Sequence, residues 1–224
     1  MNEVFNIQKL LDFFNYVFWF FLLNIFFMIL NIPVVLFFLF VGISNIFTYL
    51  PLFLVTLIPT GAAFTTLLFC MGKIVRDKDL SVLKDFIRGF KMNFKQSTLF
   101  WCAELFIIFI LHSNIKFFST VKYNLVLTCI FTGLLILLAL VTPYIYILIS
   151  RFSMKNLDLI KASIILTFTR PILTICNVLI AAITLILFEV SPGTTVLFIS
   201  SVFTFLLAFS NKALLRDLEL SYSK

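Results

Sequence analysis

The chain has 224 residues, of which 62% are hydrophobic and 12% are charged, with a mean hydropathy of +1.15 and a net charge of +7. Soluble domains carry roughly 25% charged residues, so this composition excludes an ordinary soluble domain and predicts a polytopic membrane protein. The length suits a single membrane domain over residues 1–224. The four cysteines lie in apolar runs without CxxC spacing, which predicts neither a disulfide framework nor a metal site.

The apolar runs predict an all-α membrane bundle of about six spanning helices. Residues 13–72 contain no charge and leave room for two spans, and a broken or tilted element bracketed by Pro33 and Pro51 is the alternative. The predicted spans are 14–40, 47–72, 97–113, 123–149, 160–188 and 194–211.

A charged segment separates the second and third predicted spans. Its apolar residues recur at spacings of three and four, which predicts an amphipathic helix over about 79–95 at the membrane surface. The basic surface of this segment comprises Lys73, Arg76, Lys84, Arg88, Lys91 and Lys95. Aromatic residues are interleaved among these cations, but an amphipathic membrane helix favours anionic lipid headgroups of the inner leaflet as partners over nucleic acid.

The distribution of basic residues predicts the orientation of the chain. If both termini are cytoplasmic, only Lys116 and Lys122 of the 17 basic residues lie outside. Cytoplasmic loops are enriched in Lys and Arg, so the sequence predicts a multi-pass cell-membrane protein with both ends in the cytoplasm.

Polar side chains follow one face of the fifth predicted span. Ser163, Thr167, Thr174 and Asn177 recur at helical spacing and form a polar seam. Such seams usually serve helix packing, and a polar cavity or a docking surface for a partner's helices is the alternative interpretation.

Glu104 is the one acidic residue well inside a predicted span. A carboxylate in the membrane is costly unless it is protonated or paired, which makes Glu104 a candidate functional residue. Arg170, also displaced into an apolar segment, is its predicted partner in a buried charge pair. The alternatives are a purely structural pair and an Arg170 side chain that reaches out to the interface.

The sequence contains no HExxH, no GxSxG and no Walker lysine loop. Hydrolase, nucleotide-binding and phosphotransfer chemistries therefore lack their usual parts, and the chain is predicted to be non-enzymatic and free of cofactors.

Three segments, LNIPVV, IPTGAAFTTLLFCMGKIVRDKD and DFIRGFKMNFKQSTL, occur in an order that resembles the YesL family of bacterial integral membrane proteins. The resemblance covers about residues 10–110. The positions that carry it are Asn24, Pro33, Pro59, Ala62, Ala63, Phe64, Lys73, Arg76, Phe86, Phe90, Asn93, Phe94 and Lys95. It implies a cell-membrane protein of Gram-positive bacteria associated with carbohydrate ABC importers.

Three functional hypotheses follow. The first is a non-enzymatic accessory subunit of a carbohydrate (oligosaccharide) ABC importer, which docks by helix contacts on the permease and has the ATPase as a further candidate partner. The second is a stand-alone membrane protein that binds or transports a small solute. The third is a membrane sensor or regulator that uses its basic surface helix.

Overall fold

The computed structural model describes residues 2–120, 125–190 and 197–222. These residues form helices and no strand, which confirms the predicted all-α bundle. The helices are α1 (Asn2–Leu30), α2 (Ile32–Phe40), α3 (Leu50–Thr56), α4 (Ile58–Asp77), α5 (Val82–Thr120), α6 (Leu125–Arg151), α7 (Asn156–Thr169), α8 (Pro171–Val190), α9 (Ile199–Ser210) and α10 (Lys212–Tyr222). By length and composition, five of the described helices can cross a membrane, namely α1, α4, α5, α6 and α8.

Helix α4 is the centre of the bundle and packs against α1, α5, α6 and α9. Two apolar clusters meet on it. One is built mainly on α6 around the fully buried Tyr144 and Tyr146. The other joins Leu23 of α1 to Met71 of α4. Because α4 contributes side chains to both clusters, it joins the two halves of the fold.

Glycines let α4 and α5 approach closely. A Cβ atom added at Gly61 would overlap the Cβ of Trp101, and one added at Gly89 would lie 2.6 Å from Cδ1 of Phe69. The Trp101 indole N–H also donates a 2.7 Å hydrogen bond to the carbonyl of Leu57, the residue before α4. Small residues at such crossings permit tight packing of helices in membranes.

The first two spans differ from their predicted bounds. The predicted span 14–40 is divided at Asn31 into α1 and α2, because Pro33 opens α2 and supplies no N–H. Asn31 secures the break, since its side-chain N–H donates to Phe27 O at 2.8 Å and its Oδ1 accepts from the Thr60 hydroxyl at 2.6 Å. The predicted span 47–72 is likewise the short α3 followed by α4, which runs on to Asp77.

The predicted surface helix 79–95 and the predicted span 97–113 are not separate elements. Both belong to α5, a continuous helix of 39 residues. A helix of this length measures about 58 Å, whereas the hydrocarbon core of a bilayer is about 30 Å thick. By length and composition, the second part of α5 can therefore cross such a layer while its charged first part extends beyond it.

The predicted fifth span, 160–188, is broken at Arg170. Helix α7 ends at Thr169 and α8 starts at Pro171, because a residue before proline avoids the α conformation and Arg170 has φ −121° and ψ 61°. The spanning helix is thus α8. The predicted span 123–149 corresponds to α6, and within the described part of 194–211 the structure has α9, an apolar helix of 12 residues.

Candidate ligand-binding site at the basic end

A cavity of about 670 Å³ lies where the C-terminal halves of α4 and α6 meet the charged part of α5 and the junction of α9 with α10. We call it the basic pocket. Its cationic lining comprises Arg76, Arg151, Lys212 and Arg216, and Glu219 is the acidic residue among its lining side chains. Four cations and one anion give this lining a formal charge of +3.

The cations of the basic pocket differ in how they are paired. Arg151 forms an ion pair with Glu219 of α10, and Arg76 pairs at 2.8 Å with its exposed neighbour Asp77. Lys212 and Arg216 have no acidic partner within 4.0 Å in the described ranges. Both residues are exposed, so they attract an anion to the cavity most strongly at low ionic strength.

Asn93 places a polar donor in the same pocket. Its side chain is 8% exposed, and its Nδ2 atom has no hydrogen-bond partner. A buried amide N–H without a partner costs about 1–3 kcal/mol, which an acceptor oxygen of a ligand would offset. The nearby Gln96 is different, because its Nε2 already donates at 2.9 Å to Met154 O and to Asn156 Oδ1.

The floor of the pocket is apolar. Leu68 of α4, Ile147 and Ile149 of α6, and Ala208 of α9 are buried there. Hydrogen bonds and ion contacts are stronger against such a surface than in water, because the local dielectric constant is lower. The pocket therefore combines a cationic lining, an N–H without a partner and an apolar floor. This combination suits a small anion.

The predicted basic surface is only partly involved in this site. Arg76 lines the pocket, whereas the side chains of Lys84, Arg88, Lys91 and Lys95 are exposed along the charged part of α5. Lys73 is half-buried and lies outside the pocket lining, with its Nζ atom 2.6 Å from Oδ2 of Asp85.

Asp85 connects the start of α5 to the end of α4. Besides Lys73, its carboxylate accepts the backbone N–H of Ser81 at 2.9 Å. Burial acts to raise the pKa of Asp85, but the hydrogen bonds from Lys73 and Ser81 and the charges of Lys73 and Arg88 outweigh it and leave the pKa below its usual value. Asp85 is thus an anion at neutral pH and is already paired.

Sequence reasoning missed the buried face of α5. Asp85, Gly89, Asn93 and Ser97 recur every four residues, and all four are buried. The large apolar residues of this segment gave a mixed signal, because Leu80 and Phe86 are buried whereas Leu83 and Ile87 are 63% and 45% exposed. A row of small and polar residues at a spacing of four was the signal for the inward face.

The polar seam faces inward, as its pattern indicated. All four residues of the seam are buried. The Thr174 hydroxyl donates to Thr167 O at 3.0 Å across the α7–α8 break and lies 2.9 Å from the hydroxyl of Tyr144. Asn177 accepts a 2.9 Å hydrogen bond from Nδ2 of Asn211. These contacts join α8 to α6 and to the end of α9, away from the pocket lining.

The predicted charge pair of Glu104 with Arg170 is wrong. Glu104 is 4% exposed, and its Oε2 accepts a 3.1 Å hydrogen bond from the Tyr146 hydroxyl, while its Oε1 has no partner. The Thr142 hydroxyl is 3.5 Å from the same oxygen, but it donates to Leu138 O at 2.8 Å. Arg170 stands at the α7–α8 break, where it is about half exposed and lies 4.0 Å from Asp217.

Within the described residues, no three His, Cys, Asp or Glu side chains lie close enough together to hold a metal ion.

Comparison with protein families gives one partial match. Residues 14–115 match the model of a family described as a protein of unknown function, DUF624. This match covers nearly the same residues as the resemblance seen in the sequence, and it includes Arg76 and Asn93 of the basic pocket. No curated protein and no solved structure matches the chain.

Proposed function

We propose that this chain is a multi-pass membrane protein that binds a small anionic ligand in the basic pocket, without chemistry on that ligand. The observation that carries the proposal is the unpartnered Asn93 amide, buried in a cavity that it shares with the unpaired Lys212 and Arg216. This arrangement places two exposed cations and a buried donor without a partner around one cavity.

The chemistry of the donors indicates the class of ligand. Guanidinium groups bind phosphate and carboxylate oxygens in a planar, two-pronged geometry, and an ammonium group adds a point charge. Arg151, Lys212 and Arg216 supply these groups, and Asn93 supplies an N–H for one more oxygen. A phosphate or carboxylate ligand is the class that these donors suit best.

The side of the membrane to which the pocket opens is part of the proposal. Its cations belong to the end of the bundle where most basic residues collect. The positive-inside rule supports a cytoplasmic opening and a cell-membrane location, so the ligand would come from the cytoplasm or from the inner leaflet.

The test is thermal unfolding of the purified protein in mild detergent with inorganic phosphate, glycerol 3-phosphate and citrate as probes, at constant ionic strength. A ligand that binds only the folded state stabilises it by about 2.7 kcal/mol at 100 times its Kd. We expect at least one probe to raise the Tm, and Arg216→Gln and Asn93→Leu to reduce that shift. Arg88→Gln removes an exposed arginine outside the pocket and should keep the shift. Equal shifts in all variants, or no shift with any probe, would refute anion binding in this pocket.

A second role is favoured by the exposed surface of α5. Its cations alternate with exposed apolar side chains, among them Leu83, Ile87 and Phe94. Such a face suits contact with anionic lipid headgroups, with about 1 kcal/mol available for each basic residue near the surface. Binding to vesicles of a phosphatidylserine and phosphatidylcholine mixture should fall at high salt if this contact operates.

Docking on a carbohydrate ABC importer is a third proposal. Its support is the resemblance of residues 10–110 to the YesL family. Purification in mild detergent with recovery of a permease would support it. Recovery of the chain alone at every detergent and salt concentration would contradict it.

A further inference from the structure

The acid that lines the basic pocket comes from the C-terminal helix of the chain itself. We infer that Glu219 occupies the position of the ligand's anionic group at Arg151, so that a ligand must displace it and thereby weaken the attachment of the end of α10. This inference rests on the proposed function. It adds that Arg151 is the principal anion-binding residue and that ligand binding is coupled to the end of α10.

Glu219 already makes the kind of contact that the proposed ligand would make. Its Oε1 meets Nε of Arg151, with both side chains partly buried, at 39% and 23% exposure. A carboxylate is one of the two ligand groups that the donors of the pocket suit. The pair therefore identifies Arg151 as the place where an anion is held, with the exposed Lys212 and Arg216 as further cations of the lining.

Apart from Glu219, apolar contacts hold α10 to the bundle. Leu214 is 3% exposed and belongs to the larger apolar cluster, and Leu218, next to Glu219, packs against the same cluster. Asp217 lies 4.0 Å from Arg170, with both side chains about half exposed, and this contact is outside the pocket lining. Exposed ion pairs contribute little to stability, so loss of the partly buried Arg151 contact weakens the attachment of this helix end.

Competition with Glu219 lowers the apparent affinity of the pocket. Only molecules in which Glu219 has left Arg151 can bind the ligand there. The apparent Kd then equals the intrinsic Kd divided by the fraction of such molecules. If Glu219 holds Arg151 about 90% of the time, removal of its charge tightens ligand binding about tenfold. The ligand, in turn, shifts the population towards molecules in which Glu219 is free.

The chain offers a matched pair of variants. Glu219→Gln and Asp217→Asn each remove one negative charge from α10, but only Glu219 lines the pocket. With glycerol 3-phosphate as the probe, titrated in detergent, we expect Glu219→Gln to bind about tenfold more tightly than the wild type. Asp217→Asn should stay within about twofold of the wild type, as expected for a screened surface charge.

The outcomes separate this inference from the proposed function. If glycerol 3-phosphate binds the wild type, and binds Glu219→Gln and Asp217→Asn with equal affinity, the role of Glu219 is overturned and the proposed function stands. Binding to Glu219→Gln without measurable binding to the wild type supports both. No binding to either protein overturns the function, and the inference falls with it.

Two further measurements test the inference without relying on Glu219→Gln alone. Glu219→Asp retains the charge but shortens the side chain by one methylene, so it should also bind the probe more tightly than the wild type. Saturating glycerol 3-phosphate should speed hydrogen exchange of backbone amides in residues 217–220 of the wild type but not of Glu219→Gln. Unchanged or slower exchange in the wild type would contradict displacement of Glu219.

Discussion

The Lys73 ammonium lies 2.6 Å from the Asp85 carboxylate, across the turn that joins α4 to α5. Because Asp85 also accepts the Ser81 N–H, the contact fixes both the start of α5 and its angle to α4. The Asn93 side of the pocket lies two turns further along α5, so this ion pair helps to set the shape of the pocket.

Replacement of Asp85 by Asn should destabilise the protein at neutral pH. Hydrogen bonds to charged groups contribute about 1.5–3 kcal/mol, and the half-buried Lys73 would lose its counter-ion. The pKa of Asp85 is lower in the folded protein, so its contribution is complete above the unfolded value of about 3.9 and is lost as the pH falls through the lower folded value. Thermal unfolding should show a difference between wild type and Asp85→Asn that is constant from pH 7 to 5 and shrinks below pH 4. A constant difference down to pH 2 would contradict this account.

Gly61→Ala should destabilise the bundle because its Cβ would overlap Trp101. Overpacking of a close contact typically costs about 1–3 kcal/mol. Gly133→Ala is the control, since a Cβ there meets nothing within 4 Å and alanine favours the helix by about 1 kcal/mol. The two variants should therefore move the Tm in opposite directions. A Gly61→Ala protein as stable as Gly133→Ala would show that α4 and α5 are not in close contact at this point.

Glu104→Gln should fold as well as the wild type. The described structure contains no cation paired with Glu104, and glutamine keeps an oxygen for the buried hydroxyl of Tyr146. Glu104→Leu removes that acceptor and should cost about 1–3 kcal/mol, with a recovery when Tyr146→Phe is added. The amount of folded protein recovered in detergent and its Tm measure both effects. Severe loss of Glu104→Gln protein would indicate that the carboxylate is charged and paired.

Asn177 and Asn211 should be energetically coupled. Asn211 Nδ2 donates to Asn177 Oδ1 at 2.9 Å, and both side chains are buried. Hydrogen bonds between membrane helices average about 0.6 kcal/mol and reach about 1.7 kcal/mol in double-mutant cycles. A cycle of Asn177→Ala, Asn211→Ala and the double variant should give a coupling in this range. Fully additive effects would mean that the observed hydrogen bond does not stabilise the fold.

The proposed orientation can be tested on one helix. Ser81 and Ser119 are exposed and flank the two ends of α5. In a background without the four native cysteines, Ser119→Cys should react with a membrane-impermeant maleimide in intact cells, and Ser81→Cys only after permeabilisation. The reverse pattern would invert the topology and place the basic pocket outside.

The sequence predicted the features that depend on local composition. Long apolar runs identified the spanning helices, and hydroxyl groups at helical spacing identified the buried seam at Ser163 and Thr167. Prolines gave an incomplete signal for breaks. Pro171 starts a new helix, whereas Pro143 lies inside the continuous α6. Neighbouring helices can satisfy the backbone groups that a proline frees, so the residue type alone does not decide the outcome.

The basic pocket could not be predicted because it is a tertiary feature. Arg151 and Glu219 are 68 positions apart, and they meet because α9, which precedes α10, packs on α4. The error over Glu104 has the same origin. Glu104 and Arg170 were predicted to pair because they carry opposite charges in apolar segments. The break after Thr169 instead places Arg170 beside Asp217, and Glu104 accepts a hydrogen bond from the hydroxyl of Tyr146.

Helix α5 has a mechanical consequence. It runs without interruption from Val82 to Thr120 and meets α4 at two close crossings, Gly61 with Trp101 and Gly89 with Phe69. Asn93 lies between Gly89 and Trp101, so α5 is braced against α4 on both sides of this residue. A ligand would therefore meet an amide whose place is set before binding, which lowers the ordering cost of association.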